Sequence, residues 1–269
     1  MRRSLLFLSV LLIMASCKPM DKPSDIEPDK VDWSKDFYHK SFVMKFTANW
    51  CGFCPRMADA VALAQEQNPD KIVLMDIHGS NDPLVFDDAT VLMKNYGVGG
   101  YPTGFFDFRY EVQNGSSEQV ARQLTGYLTQ AEQNSAGSAI SYKSSFSGNK
   151  LDIHLFLYLR QATDYKVSVF LLEDGLVAKQ SNYLGESDDN YVHKDVARVS
   201  VTAPLGDAFS TTEENSIKRF DYSVEVASGY KKENLKILVF VQRILDEKFY
   251  VDNCAIGKAG ENLSLKYSI

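Results

Sequence analysis

The stretch NWCGFCPRM, residues 49–57, holds two of the chain's four cysteines, Cys51 and Cys54. A thiol pair at this spacing can cycle between dithiol and disulfide, supply half of a metal site, or act as a structural staple. The flanking residues bear on the choice. SFVMKFT, residues 41–47, reads as a buried strand. From Pro55 onward Met57, Ala60, Val61 and Ala64 recur at helical spacing, and the pattern stops near QNPD. The pair therefore stands between a strand and the N-terminus of a helix. Unpaired N–H groups and the helix dipole favour a thiolate there, and they lower a cysteine pKa from about 8.5 into the range of about 3.5–7.5. In this reading Cys51 is the nucleophile and Cys54, one turn further in, the resolving partner.

The other two readings are weaker. Zinc needs four protein ligands, or three and a water. The chain has no second Cys-x-x-Cys, and His39, His78, His154 and His193 are scattered without ligand spacing, so no metal is expected. A purely structural disulfide would close a very short loop with little entropic benefit.

The elements that must position the pair continue downstream. KIVLMDI, residues 71–77, is a second apolar strand, HGSNDP a loop, and residues 84–95 a helix ended by Gly97. After GVGGYPT, residues 104–110 read as a third strand. Asn114-Gly115 marks a turn, and Ser116 or Ser117 caps a helix running to about Gln133. This half alternates strands and helices in a mixed α/β layer pattern. The pattern changes at NSAGSA, residues 134–139. Beyond it KLDIHLFLYL, YKVSVFLLED, DVARVSVT, IKRFDYSVEV, LKILVFVQRI and KFYVDNCAI are strand-like runs separated by turn residues. They imply an antiparallel sandwich over residues 137–269, in which Ile237, Val239 and Val241 share one face.

The ends set the compartment. Met1-Arg2-Arg3, the apolar run Leu5–Ala15 and the small residues before Cys17 read as an export signal over residues 1–16. The small-small-Cys ending resembles a bacterial lipobox, which implies lipid on Cys17 and attachment to a membrane. Residues 17–36, with three prolines and many charges, read as a lipidated tether. Disulfides persist outside the cytosol. With Cys17 lipidated, Cys51 and Cys54 can pair, which leaves Cys254 odd; its expected role is a buried small hydrophobe, the alternative a resolving or intermolecular thiol. A net charge of −6 argues against general nucleic-acid binding.

FTANWCGFC followed by VGGYPT resembles a thioredoxin across residues 37–133, within a thioredoxin-like domain bounded at 37–136. The resemblance implies that Pro102 is a cis-proline against the disulfide and that Trp50, Tyr101, Pro102 and Thr103 meet the substrate. It also implies no cofactor. Thioredoxins place a buried acid six positions before the first cysteine; here that position is Lys45, expected to be a solvated strand residue, the alternative being a lysine turned toward the pair whose cation favours a thiolate. Together with IH, DP, VHKDVARVSV and the β-rich second half, the chain is similar to envelope lipoproteins related to a 28-kilodalton outer membrane protein. That group joins a thioredoxin-like α/β domain to an all-β immunoglobulin-like sandwich. The implied function is a membrane-anchored thiol-disulfide oxidoreductase, reductase-like or isomerase-like, with extracytoplasmic protein disulfides as substrates and an electron donor as partner. The competing function is a non-catalytic surface lipoprotein that uses both domains as a binding or adhesion scaffold. Either sits in the bacterial envelope, at the outer membrane rather than the inner, facing the periplasm or the surface.

Overall fold

The computed structural model describes residues 26–268; the stretch read as an export signal and Cys17 lie outside the described residues. The first half runs β1 (Ser41–Thr47), α1 (Cys54–Gln67), β2 (Ile72–His78), α2 (Ala89–Asn95), β3 (Thr103–Phe106), β4 (Tyr110–Val112) and α3 (Ser117–Ala131). Side chains alternate along a strand, and both faces of β1 are covered. Val43 packs with Met57, Val61, Leu124 and Leu128 of α1 and α3. Phe42, Met44 and Phe46 point the other way. Ser116 caps α3 through a reciprocal capping box with Gln119.

Two elements differ from the sequence reading. The helix expected over 84–95 is only α2, and Gly97 follows it with φ +64°. The strand expected over 104–110 is the hairpin of β3 and β4. Asp107 (φ 50°) and Phe108 (φ 55°) reverse the chain there. A phenylalanine in the left-handed region is strained, but Phe108 is held by ring contacts to Phe42, Tyr96 and Phe240. The buried Asp107 carboxylate accepts the Phe42 N–H at 2.7 Å.

The second half contains β5 (Ser138–Ser147), β6 (Lys150–Leu159), β7 (Asp164–Glu173), β8 (Leu176–Ser181), β9 (Ser187–His193), β10 (Val196–Ser200), β11 (Asp207–Ser210), β12 (Ser216–Glu225), β13 (Leu235–Leu245) and β14 (Lys248–Lys258). Its helical content among the described residues is one 3-10 turn, Lys232–Asn234. The sheet β12-β6-β5 packs on β7, β13 and β14 through a core holding Leu155, Val169, Ile237, Val239 and Val241. This is the expected immunoglobulin-like sandwich, and β13 presents the expected face.

The halves are joined more closely than a linker implies. Strand β10 pairs with β7 on one side and, at Val196↔Asp76, with β2 on the other, so one sheet runs β14-β13-β7-β10-β2-β1-β3-β4. The outer face of β7 and β13 offers Phe170, Leu172, Leu238 and Phe240 to Phe42, Met44 and Phe46. Phe42 and Phe240 stack with centroids 4.6 Å apart. The boundary near Ala136 thus marks a change of local structure within one shared core. Cys254 is free and buried in that core, as expected.

The segment expected to be a tether is partly docked. Ile26, Val31 and Trp33 pack against Phe37, Phe156 and Tyr158. Asp29 pairs with Lys143 at 2.7 Å and accepts the Leu265 N–H. Over residues 26–32 the chain forms neither helix nor strand and lies along the sandwich, where irregularly spaced apolar residues find pockets.

Candidate functional site

Strand β1 ends at Thr47, and two consecutive turns follow: the Cys51 N–H donates to Ala48 O at 3.0 Å and the Cys54 N–H to Cys51 O at 3.3 Å. Helix α1 begins at Cys54, with Pro55 in its first turn, where its missing N–H costs nothing. Cys51 and Cys54 form a disulfide at the mouth of this helix, with Cα atoms 5.5 Å apart. Cys51 is 6% exposed and Cys54 2%, so Cys51 is the more accessible sulfur by a narrow margin.

The loop before β3 brings the second motif to the first. The Tyr101–Pro102 bond is cis, and Tyr101 packs on the cluster of Ala48, Cys51 and Cys54. Trp50, half exposed, meets Tyr101 edge-on at 5.5 Å. Gly79 makes room for this arrangement, since a Cβ there would lie 1.7 Å from the Tyr101 hydroxyl. Thr103 heads β3 and donates to Gly100 O at 2.9 Å, which fixes the loop. A groove of about 380 Å³ beside the disulfide is lined by Phe53, Arg56, Met57, Tyr101 and Pro102. Phe53, like Trp50, is more than half exposed.

Lys45 departs from the sequence reading. It is 2% exposed and bonds Asp76 Oδ2 at 2.9 Å. The reason is register. Strands β1 and β2 pair in parallel with Lys45 opposite Asp76. The period-2 pattern turns both toward α1, on the face that carries Val43 and Leu74. Burial pushes the Asp76 carboxyl above its ordinary range, and Lys45 opposes that shift. Both residues line a cavity of about 410 Å³ that also touches Cys54, Gln180, Tyr191 and His193. Asp76 Oδ1 and His193 Nε2 are buried there without a hydrogen-bond partner. Burial and the neighbouring His78 lower the His193 pKa to about 4, so its imidazole is neutral. The sequence set His78 and His193 far apart, yet their rings lie 5.1 Å apart. His78 also bonds Asp82 at 2.7 Å, and Asp82 accepts the Asn49 N–H at 2.5 Å, bracing the loop before Cys51.

Sequence reasoning missed Asp76, Gln180, Tyr183 and His193. Asp76 had a signal: it is the lone acid in the apolar run IVLMDI, and only the register to Lys45 was lacking. The other three sit on or beside the β8–β9 hairpin of the second half, and no local pattern ties that hairpin to the cysteines. Among the described residues no helix is long and apolar enough to cross a membrane.

Comparison with known proteins agrees with this architecture. HBP35 of Porphyromonas gingivalis superposes with a TM-score of 0.67 at 15% identity, over 84% of this chain and 76% of that one. A protein from Agrobacterium tumefaciens superposes with a TM-score of 0.51 at 15% identity, over 86% of this chain and 98% of that one. No curated protein sequence matches. The sequence profile of thioredoxin matches residues 28–130. That of outer membrane protein Omp28 matches residues 89–259, well over half of the chain, and on that match the chain belongs to the Omp28 outer membrane protein family.

Proposed function

We propose that this protein is an envelope thiol-disulfide oxidoreductase acting on protein disulfides, held at the membrane by lipid on Cys17. One observation carries the proposal: the Cys51–Cys54 disulfide lies at the N-terminus of α1 with Tyr101 packed against it and an open groove alongside. In the reduced protein the helix end favours a thiolate on Cys51. This thiolate attacks one sulfur of a substrate disulfide. It forms a mixed disulfide and releases the other substrate sulfur as a thiolate. Cys54 then loses its proton and attacks the Cys51 sulfur, which expels the second substrate thiolate and regenerates the Cys51–Cys54 disulfide. A dithiol donor returns the two electrons.

Cys54 needs a proton acceptor on its buried side. Asp76 fills that role across the shared cavity, because its Oδ1 is free of hydrogen bonds and its raised pKa suits it to hold a proton. Trp50, Tyr101, Pro102 and Thr103 form the substrate wall. The Omp28 family name supports an envelope location. The test is reduction of a model protein disulfide by a soluble form that begins just after Cys17, with a dithiol donor present. Turnover that disappears in Cys51→Ser supports the reading, and wild-type protein as inert as that variant overturns it.

The low exposure of both cysteines favours a second reading, in which the disulfide is a fixed part of a binding scaffold. A scaffold disulfide resists mild dithiol, whereas an exchanging one opens readily.

A further inference from the structure

The β8–β9 hairpin belongs to the second half, yet it lies on the turns that carry Cys51. The Ser181 N–H donates to Asn49 O at 2.8 Å. Gln180 is 4% exposed, and its side-chain amide nitrogen shares its two hydrogens among Ser181 O at 3.0 Å in its own hairpin and, on the cysteine turns, Cys51 O at 3.0 Å and Ala48 O at 3.3 Å. Those two carbonyls already close the turns 48–51 and 51–54, so one amide ties together the two turns that meet at Cys51. Next to it the chain is tight: a Cβ on Gly52 would lie 3.0 Å from Asn182 O. At the hairpin tip Tyr183 stacks on Phe53, and Arg56 sits 3.6 Å over the Tyr183 ring.

The geometry points to Gln180 as a positioning residue for thiol-disulfide exchange at Cys51, supplied by the sandwich half to the dithiol site; this rests on the exchange reading above. Two physical effects act together. Binding both carbonyls holds the turn that sets the Cys51 sulfur at the mouth of α1, where the helix dipole acts on it. The amide N–H dipole also offsets the negative ends of carbonyls that would otherwise repel a thiolate. The catalytic thiol is therefore tuned from the second half, and the shared sheet at β10 holds the hairpin in place.

The test reads the Cys51 thiol directly, by the rate of iodoacetamide alkylation against pH. It uses the chain beginning after Cys17 in a Cys54→Ser background, with modification at Cys51 followed by mass spectrometry. Gln180→Met keeps the length and removes the donors. Gln180→Glu keeps the shape and adds a negative charge. Neither alters the charged or titratable neighbours: Lys45 on β1, Arg56 on α1, Asp76 on β2, Asp82 after β2, and Glu186 and the neutral His193 around the hairpin. With Gln180 in place the apparent thiol pKa falls below about 7.5. Gln180→Met raises it by about one, which slows alkylation up to about tenfold, relative to the high-pH plateau, at a pH one unit or more below the starting pKa. Gln180→Glu raises it further. General destabilisation moves the melting temperature but does not produce this order, and either variant alone decides if the other fails to fold. A profile unchanged by both substitutions overturns the inference while leaving the exchange reading intact. A thiol near the ordinary pKa of about 8.5 with Gln180 present overturns both.

Discussion

Replacing Asp76 with leucine while leaving Lys45 in place strands a cation in the interior. Lys45 and Asp76 have side chains 2% and 10% exposed, and their charged atoms are 2.9 Å apart. Removing one member of such a buried pair costs about 3–5 kcal/mol, because the survivor keeps its desolvation penalty and loses its partner. A domain has only about 5–15 kcal/mol in hand, so Asp76→Leu should show a large fall in urea midpoint at pH 7. The converse, Lys45→Met, should cost less. The Asp76 carboxyl, already raised by burial, can take a proton and neutralise itself. In Lys45→Met the folded state then binds more protons than the unfolded state above the ordinary aspartate pKa, so its stability falls as pH rises. The double variant Lys45→Met/Asp76→Leu removes both charges and should return to within about 1 kcal/mol of wild type or exceed it. Turnover should behave differently. If Asp76 accepts the Cys54 proton, both variants lacking it lose about 100-fold in disulfide reduction, and the stable double variant shows that this loss is not unfolding. Wild-type turnover in the double variant would refute the catalytic role of the pair. A cost below about 1 kcal/mol for Asp76→Leu would refute its dryness.

Cys51→Ser should abolish exchange and trap nothing, whereas Cys54→Ser should stop turnover and accumulate mixed disulfides visible on non-reducing gels. Cys254→Ser should leave both behaviours unchanged, since Cys254 is free and buried, with its thiol turned to Lys40 O at 3.4 Å. Gly79→Ala places a methyl inside the Tyr101 ring contact. It should cost about 1–3 kcal/mol in unfolding free energy and slow reduction by moving Tyr101 off the disulfide. Burial raises the Asp107 pKa to about 7, against the opposing Phe42 N–H bond. The folded state holds that proton between about pH 4 and pH 7 while the unfolded state releases it, so this group makes stability fall as pH rises through that window. Asp107→Asn should remove the trend, gaining about 3 kcal/mol on wild type between about pH 4.5 and pH 7.5 in paired urea titrations.

Much of the first half was legible because its signals are local. Met57, Ala60, Val61 and Ala64 carry the helical period and are all buried in α1. Ser116 announces its cap, and the cysteine and proline motifs announce each other. The hairpin at Asp107 was not legible, because GFFDFRY keeps strand alternation through residues whose reversal is held by Phe42, Tyr96 and Phe240 from elsewhere. Lys45 was misread for the same kind of reason: lysine is rarely buried, and its exception depends on a strand register that no single segment encodes. The docking of Ile26, Val31 and Trp33 likewise needs the sandwich surface to exist first. The greatest loss was the β8–β9 hairpin. LVAKQSNYL is not among the strand-like runs the sequence yields, and only the tertiary fold lays Gln180 against Cys51.

The reduction potential of the Cys51–Cys54 pair tests the central claim most directly. It is obtained by equilibrating the soluble form with glutathione buffers of known ratio and counting free thiols by mass. An exchanging dithiol should poise between about −270 and −180 mV, the range of reducing and isomerising thiol proteins, and should reach equilibrium within minutes. A potential below about −300 mV, with no exchange on that timescale, is the signature of a structural disulfide and would contradict the account.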